Sequence, residues 1–186
     1  SDAIVIGAFL PVETIPLFTV AGSLAVYLME FVIGIGSVVM PMAASLQAKG
    51  RTDEVRDIFL KWSKITVSLS FAACLFLIVL GPRFMGWWIG PEFERPAGRV
   101  LQILMLGNLV FLPVRGVALP LLMGLGKPKA PAIAFLVSGV LNVLMSVVLV
   151  QRWGLDGVAV GTAIPNLLFA LVVLHWAARE LRVTIA

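Results

Sequence analysis

The sequence predicts an all-α fold, a polytopic bundle of transmembrane helices with one partial and five complete spans. Three observations carry this. First, 60% of the 186 residues are hydrophobic and only 13% are charged, against roughly 45–50% and 25% in a soluble domain. Second, the apolar residues fall into uncharged runs long enough to cross a hydrocarbon layer about 30 Å thick. Third, the loops between the runs are alternately rich and poor in basic residues. No stretch shows the period-2 alternation of a membrane barrel. With no water in the layer, the backbone must satisfy its own hydrogen bonds, and helices do so within each span.

The elements follow in order. Residues 3–10 (AIVIGAFL) are too short to span and read as the second half of a helix. No basic segment or cleavage site marks a signal peptide, so the expectation is a fragment whose upstream part is missing. Span A covers about 16–48, followed by the basic loop KGRTDEVRDIFLKWSK. Span B covers 65–82, and the aromatic segment RFMGWWIGPEFERPAGR after it suits a membrane interface. Span C covers 100–126 and ends in the tight loop KPK; span D covers 130–151; RWGLD joins it to span E, 157–178. The lone Cys74 sits inside span B, so no disulfide framework is possible.

Charge orients the bundle. Lys49, Arg51, Arg56, Lys61, Lys64, Lys127, Lys129, Arg179 and Arg182 fall on one side, nine residues in all; Arg83, Arg95, Arg99 and Arg152 fall on the other. The richer side is expected in the cytoplasm, with the C-terminus. Trp87 and Trp88 then fall at the outer interface, where aromatic rings are enriched. The net charge of +4 is distributed at span ends, where insertion and anionic lipid account for it. A nucleic-acid patch would need one basic soluble face, so no nucleic-acid partner is expected.

What interrupts the apolar runs carries the functional reading. Pro41, Pro113, Pro120 and Pro165 lie inside spans, and each removes a backbone hydrogen bond and bends its helix. Transporters use such bent helices around a central site, although proline is in any case more frequent in membrane helices. Ser23, Tyr27, Glu30, Gly34, Ser37, Pro41 and Ser45 are spaced by threes and fours, so they form one stripe along span A. Span C places Asn108 and Arg115 seven residues apart on one face. Span D places Ser138, Asn142 and Ser146 four apart, and span E Thr162 and Asn166. Four polar faces suggest a shared hydrated cavity; the alternative is helix–helix packing, which small polar residues also serve. The Gly157/Gly161 pair reads as packing.

Glu30 and Arg115 are the mid-span charges. A central arginine costs about 2.5–3.5 kcal/mol on insertion scales. The fifteen Leu, Ile, Val and Phe of span C contribute about −0.3 to −0.6 kcal/mol each, which outweighs it. The span inserts, and Arg115 must meet water, a counter-charge such as Glu30, or an anionic ligand. GIGSVV lacks the third glycine of a dinucleotide loop, and GLGKPK lacks the hydroxyl residue of a P-loop. No HExxH, paired cysteines or Ser–His–Asp set appears, so neither an enzyme nor a metal site is expected.

Several local patterns resemble the C-terminal half of the polysaccharide and oligosaccharide-lipid flippases of the multidrug/oligosaccharidyl-lipid/polysaccharide exporter superfamily. SDAIVIGAFL running into FTVAGSL looks like the seventh and eighth helices, and MPMAASLQAKGRTDEV like the end of the eighth. LGPRFMGWWIGPEFERPAGRVLQIL is similar to the external turn between helices nine and ten. LLMGLGKPKAP resembles the turn before helix eleven, and LNVLMSVVLVQRWGLDGVAVGTAI the passage from eleven to twelve. The resemblance covers nearly the whole chain. It implies a six-helix lobe spanning residues 1–186, a missing N-terminal lobe, a central cavity and alternating access in the inner membrane. It implies a lipid-linked oligosaccharide substrate for surface polysaccharides such as the O-antigen of lipopolysaccharide, with an arginine at the diphosphate. The alternatives are a multidrug/cation antiporter or a peptidoglycan-precursor lipid flippase. Asp2 matches an acidic position common in the family. The expected cavity residues are therefore Arg115, Glu30, Asn108, Asn142 and Asp2. No cofactor is expected, although H+ or Na+ is a possible coupling ion. The expected partners are membrane lipid, the lipid-linked oligosaccharide and the N-terminal lobe.

Overall fold

A computed structural model describes residues 2–181. Among the described residues every regular element is helical. Helix α1 (Asp2–Phe9) leads through a 3-10 turn (Val12–Thr14) into α2 (Ile15–Ala48). Then come α3 (Thr52–Trp88), the single turn α4 (Pro91–Glu94) and α5 (Pro96–Pro113). A π-turn (Val114–Ala118) connects α5 to α6 (Leu119–Gly124), and α7 (Lys129–Glu180) completes the described chain.

Four helical stretches are long and apolar enough to cross a membrane, against the five complete spans expected. The difference lies in α7. Its 52 residues would extend about 78 Å at 1.5 Å per residue, more than twice the hydrocarbon thickness. Gly154 breaks it with φ 56° and ψ −134°, a left-handed backbone that glycine adopts without a Cβ clash. The arms, 129–153 and 155–180, correspond to spans D and E. The bundle is held tightly at this hairpin: a Cβ at Gly157 would lie 2.2 Å from the Leu149 carbonyl oxygen, and one at Gly161 2.6 Å from Ser146 Oγ. The Gly157/Gly161 spacing is thus a packing seam.

Two sequence boundaries need correction. The basic stretch 49–64 is not a loop, because α3 starts at Thr52. Its charged residues are good helix formers, and Val55 and Phe59 turn a buried face to the bundle. Span B does not stop at Pro82 either, since α3 continues to Trp88 with Pro82 inside it. The aromatic segment is therefore the end of α3, a short turn and the start of α5.

How α3 tolerates Pro82 is visible. A proline at position 82 leaves the carbonyl of residue 78 without its helical donor. Gln102 of α5 supplies one: its Nε2 donates to the Ile78 oxygen at 2.7 Å. Pro165 repeats the arrangement in α7, where the Gly161 carbonyl loses its donor and Asn142 Nδ2 approaches it at 3.4 Å. Pro113 and Pro120 bracket the π-turn, in which the Leu119 N–H donates to the Val114 carbonyl five residues back. Pro41, by contrast, is exposed on α2.

Helix α5 is the centre of the bundle. Its Leu101, Met105 and Leu112 are fully buried, and α2, α3 and α7 all pack against it. Helix α1 packs mainly on α7. The two ends are tied by ion pairs: Arg99 to Asp156 at 2.9 Å at one end, and Lys127 to Glu180 at the other. The chain alternates between these ends, so the larger and smaller basic sets lie apart as expected; Arg182 of the larger set falls outside the described residues.

Gln102→Leu leaves the carbonyl of half-buried Ile78 without a donor. The expected cost is about 1–2 kcal/mol, read as a lower thermal unfolding midpoint of the full-length protein in detergent. An unchanged midpoint would show that the Gln102 amide is dispensable.

Candidate functional site: polar groups on one side of the bundle

Along α2 the two faces separate. Val32, Gly36, Val39 and Ala43 are buried. The stripe of Ser23, Tyr27, Glu30, Gly34, Ser37, Pro41 and Ser45 is exposed at every position. The Ser23 and Ser37 hydroxyls donate to carbonyls of their own helix, Thr19 at 2.8 Å and Gly34 at 2.6 Å. These serines therefore do not join α2 to another helix of the lobe. The stripe also walls an open groove of about 650 Å³ beside the start of α3, lined by Ser37, Pro41, Ser45 and Glu54.

A second polar group forms where α1, α2, α5 and α7 meet. Asp2, Asn108, Thr162 and Asn166 line one cavity of about 160 Å³. The Thr162 hydroxyl lies 3.4 Å from Asp2 Oδ2 and 3.1 Å from the Val158 carbonyl, either of which accepts its proton. The same hydroxyl accepts from Asn142 Nδ2 at 3.0 Å. The two amide hydrogens of Asn142 thus reach both Thr162 and the Gly161 carbonyl exposed by Pro165. Of the five expected site residues, Asp2 and Asn108 line this cavity and Asn142 bonds Thr162 behind it, whereas Glu30 lies on the exposed stripe of α2 and is not among the residues lining the cavity.

Arg115 is the fifth. It sits in the π-turn, a geometry that occurs frequently at functional sites. Its guanidinium carbon is 5.9 Å from the Phe111 ring centre and 5.1 Å from that of Phe135. Phe169 contacts both rings, at 5.7 Å and 4.3 Å. Such faces attract a cation but offer no hydrogen-bond acceptor, and Arg115 Nε is buried without a partner. No ion pair within 4.0 Å joins Glu30 and Arg115. The purely structural Glu30–Arg115 bridge is therefore not formed. Phe111 also lines the cavity beside Asn108, so the arginine and the polar cluster are neighbours on one side of α5. The aromatic ring set went unnoticed in the sequence. Phe111, four residues before Arg115, was the local signal for it, whereas Phe135 and Phe169 arrive only by tertiary contact.

The serines of α7 behave differently from those of α2. Ser138 donates to the Pro165 carbonyl at 3.0 Å, and Ser146 is fully buried against Gly161. Both serve packing between the arms. Among the described residues no group of three His, Cys, Asp or Glu side chains could hold a metal ion.

Helices long and apolar enough to cross a membrane, bundled around a central α5 with an exposed polar stripe on α2, define a class: polytopic helical membrane proteins. The chain belongs to the family described as "Lipid II flippase MurJ", whose model matches residues 23–186. It is also similar to the "Probable low-salt glycan biosynthesis flippase Agl15" of Haloferax volcanii, with 27% identity over 163 residues, 88% of this chain and 34% of that protein. The chain thus spans about a third of the length of this curated relative. Among solved structures, it superposes on the inward-facing conformation of a multidrug resistance MATE family transporter of the MOP superfamily. The TM-score is 0.81 at 18% identity, covering 97% of this chain and 42% of that one, a likeness of fold.

Cysteine placed at position 30, and separately at 115, in the full-length protein is expected to react with a membrane-impermeant thiol reagent. Protection of both in every state would remove the hydrated face.

Proposed function

We propose that this chain is one lobe of a flippase that moves a lipid-linked oligosaccharide from the cytoplasmic to the outer leaflet of the plasma membrane by alternating access. No covalent bond changes in the process. The observation that carries the reading is Arg115, whose buried Nε has no partner and whose guanidinium faces Phe111, a ring that also lines the polar cavity. A guanidinium offers a fork of donors suited to phosphate oxygens, and a lipid diphosphate is the anion such a substrate brings to mid-membrane. The exposed stripe of α2 supports a wall of the pathway facing a second lobe. The family match and the glycan-flippase relative both support a lipid-linked saccharide over a drug. The family description itself favours a peptidoglycan-precursor lipid as cargo over an O-antigen unit. Transport coupled to H+ or Na+ fits the same site, with Asp2 beside Thr162 as its acidic group.

Arg115→Ala is expected to lower the rate of substrate translocation by on the order of tenfold or more, the worth of a hydrogen bond to a charged group, at unchanged protein level. Arg115→Lys, which keeps the charge but loses the fork, should fall between. The readout is appearance of the lipid-linked product at the outer face in cells depleted of other flippases. Full transport by Arg115→Ala would refute the substrate role.

The orientation follows from the nine basic residues of the larger set. A periplasmic-active phosphatase fused after residue 90 is expected to be active, and one fused after residue 127 inactive; the reverse pattern would invert the topology.

A further inference from the structure

We infer that the groove between the two arms of α7 is a binding site for one acyl chain of an anionic phospholipid, whose phosphate is held at Lys129. The groove has a volume of about 400 Å³, within the roughly 300–1,000 Å³ range of ligand pockets. Its floor is closed by buried Ala134 and Phe169, while Ile133, Val137 and Val172 stand exposed along its walls. It runs from Lys129 to Leu141, twelve residues or about 18 Å of helix at 1.5 Å per residue. Half of a 30 Å hydrocarbon layer is about 15 Å, so its depth matches a single leaflet.

One end of the groove is polar. There it joins a second cavity of about 330 Å³ that shares Lys129, Ala130 and Trp176 and adds Lys127 and Glu180. Glu180 is neutralised by its ion pair with Lys127. Lys129 has no such pair, so the mouth carries a net positive charge directly above an apolar slot. Trp176 borders both compartments, the position an amphipathic ring takes between hydrocarbon and headgroup. This mouth is also at the bundle end with more basic residues, where anionic lipid is attracted by about 1 kcal/mol per lysine, or about fivefold in occupancy. An ordinary lipid-facing helix surface would supply neither the closed floor nor the unpaired cation at its top. The site lies between the α7 arms and does not depend on what the pathway transports.

The test uses full-length protein carrying a benzophenone amino acid at Val172, reconstituted in vesicles of equal phosphatidylglycerol and phosphatidylcholine. Photo-adducts are counted by mass spectrometry. About fivefold more phosphatidylglycerol adduct is expected at 172. The probe at Leu136, exposed on the other arm of α7 and outside the groove, should show a ratio near one. Lys129→Gln should bring the ratio at 172 to near one, and Lys129→Arg should preserve it, which separates loss of charge from loss of fold. Equal adducts at 172 in the native chain would overturn the site. So would the same preference at 136, an unchanged ratio in Lys129→Gln, or crosslinks to another protein segment that covers the groove.

Discussion

A backbone carbonyl in hydrocarbon has no water to turn to, and the bundle is organised around that constraint. Proline strips a donor from the carbonyl four residues before it. At Pro82 the missing donor comes from Gln102, and at Pro165 from Asn142. One substitute crosses from α5 to α3 and the other between the two arms of α7, so each bend is fixed relative to its neighbour rather than left free. Between Pro113 and Pro120 the chain instead widens into a π-turn, and that turn carries Arg115. The same constraint therefore sets helix shape, helix pairing and the position of the principal charge.

The polar residues divide into two populations with different work. Ser138, Ser146 and the Gly157/Gly161 pair hold the α7 arms together. The α2 stripe bonds only to its own backbone or to nothing within the lobe, and it is exposed throughout. Asn142 belongs to both populations, because one amide satisfies the Gly161 carbonyl and presents Thr162 toward Asp2. A change at that position would alter the bend of α7 and the polar cavity together, whereas a change at Arg115 acts on the cavity through one charge.

Much of this was legible in the sequence. The spans, the α2 stripe, the packing glycines and the two mid-span charges all follow from local periodicity. The α2 stripe was readable because seven residues at three- and four-residue spacing occupy one face whatever surrounds them. The extent of α3 was not, since a charged amphipathic start and an internal proline both look like loop until a partner buries Val55 and Gln102 covers Ile78. Gly154 was readable as a linker, but that it bends a single 52-residue helical run appears only in the backbone.

The sequence by itself determined which segments are helical, which face of each is polar, and that an arginine must be accommodated in mid-span. These are properties of one helix, repeating every 3.6 residues. Tertiary structure decided what meets Arg115. Phe135 and Phe169 come from both arms of α7, and Glu30 stays short of an ion pair. It also brought Thr162 to Asp2 across 160 residues. The register between helices is set by how closely their backbones approach at glycines and prolines, and no spacing within a single helix encodes that approach.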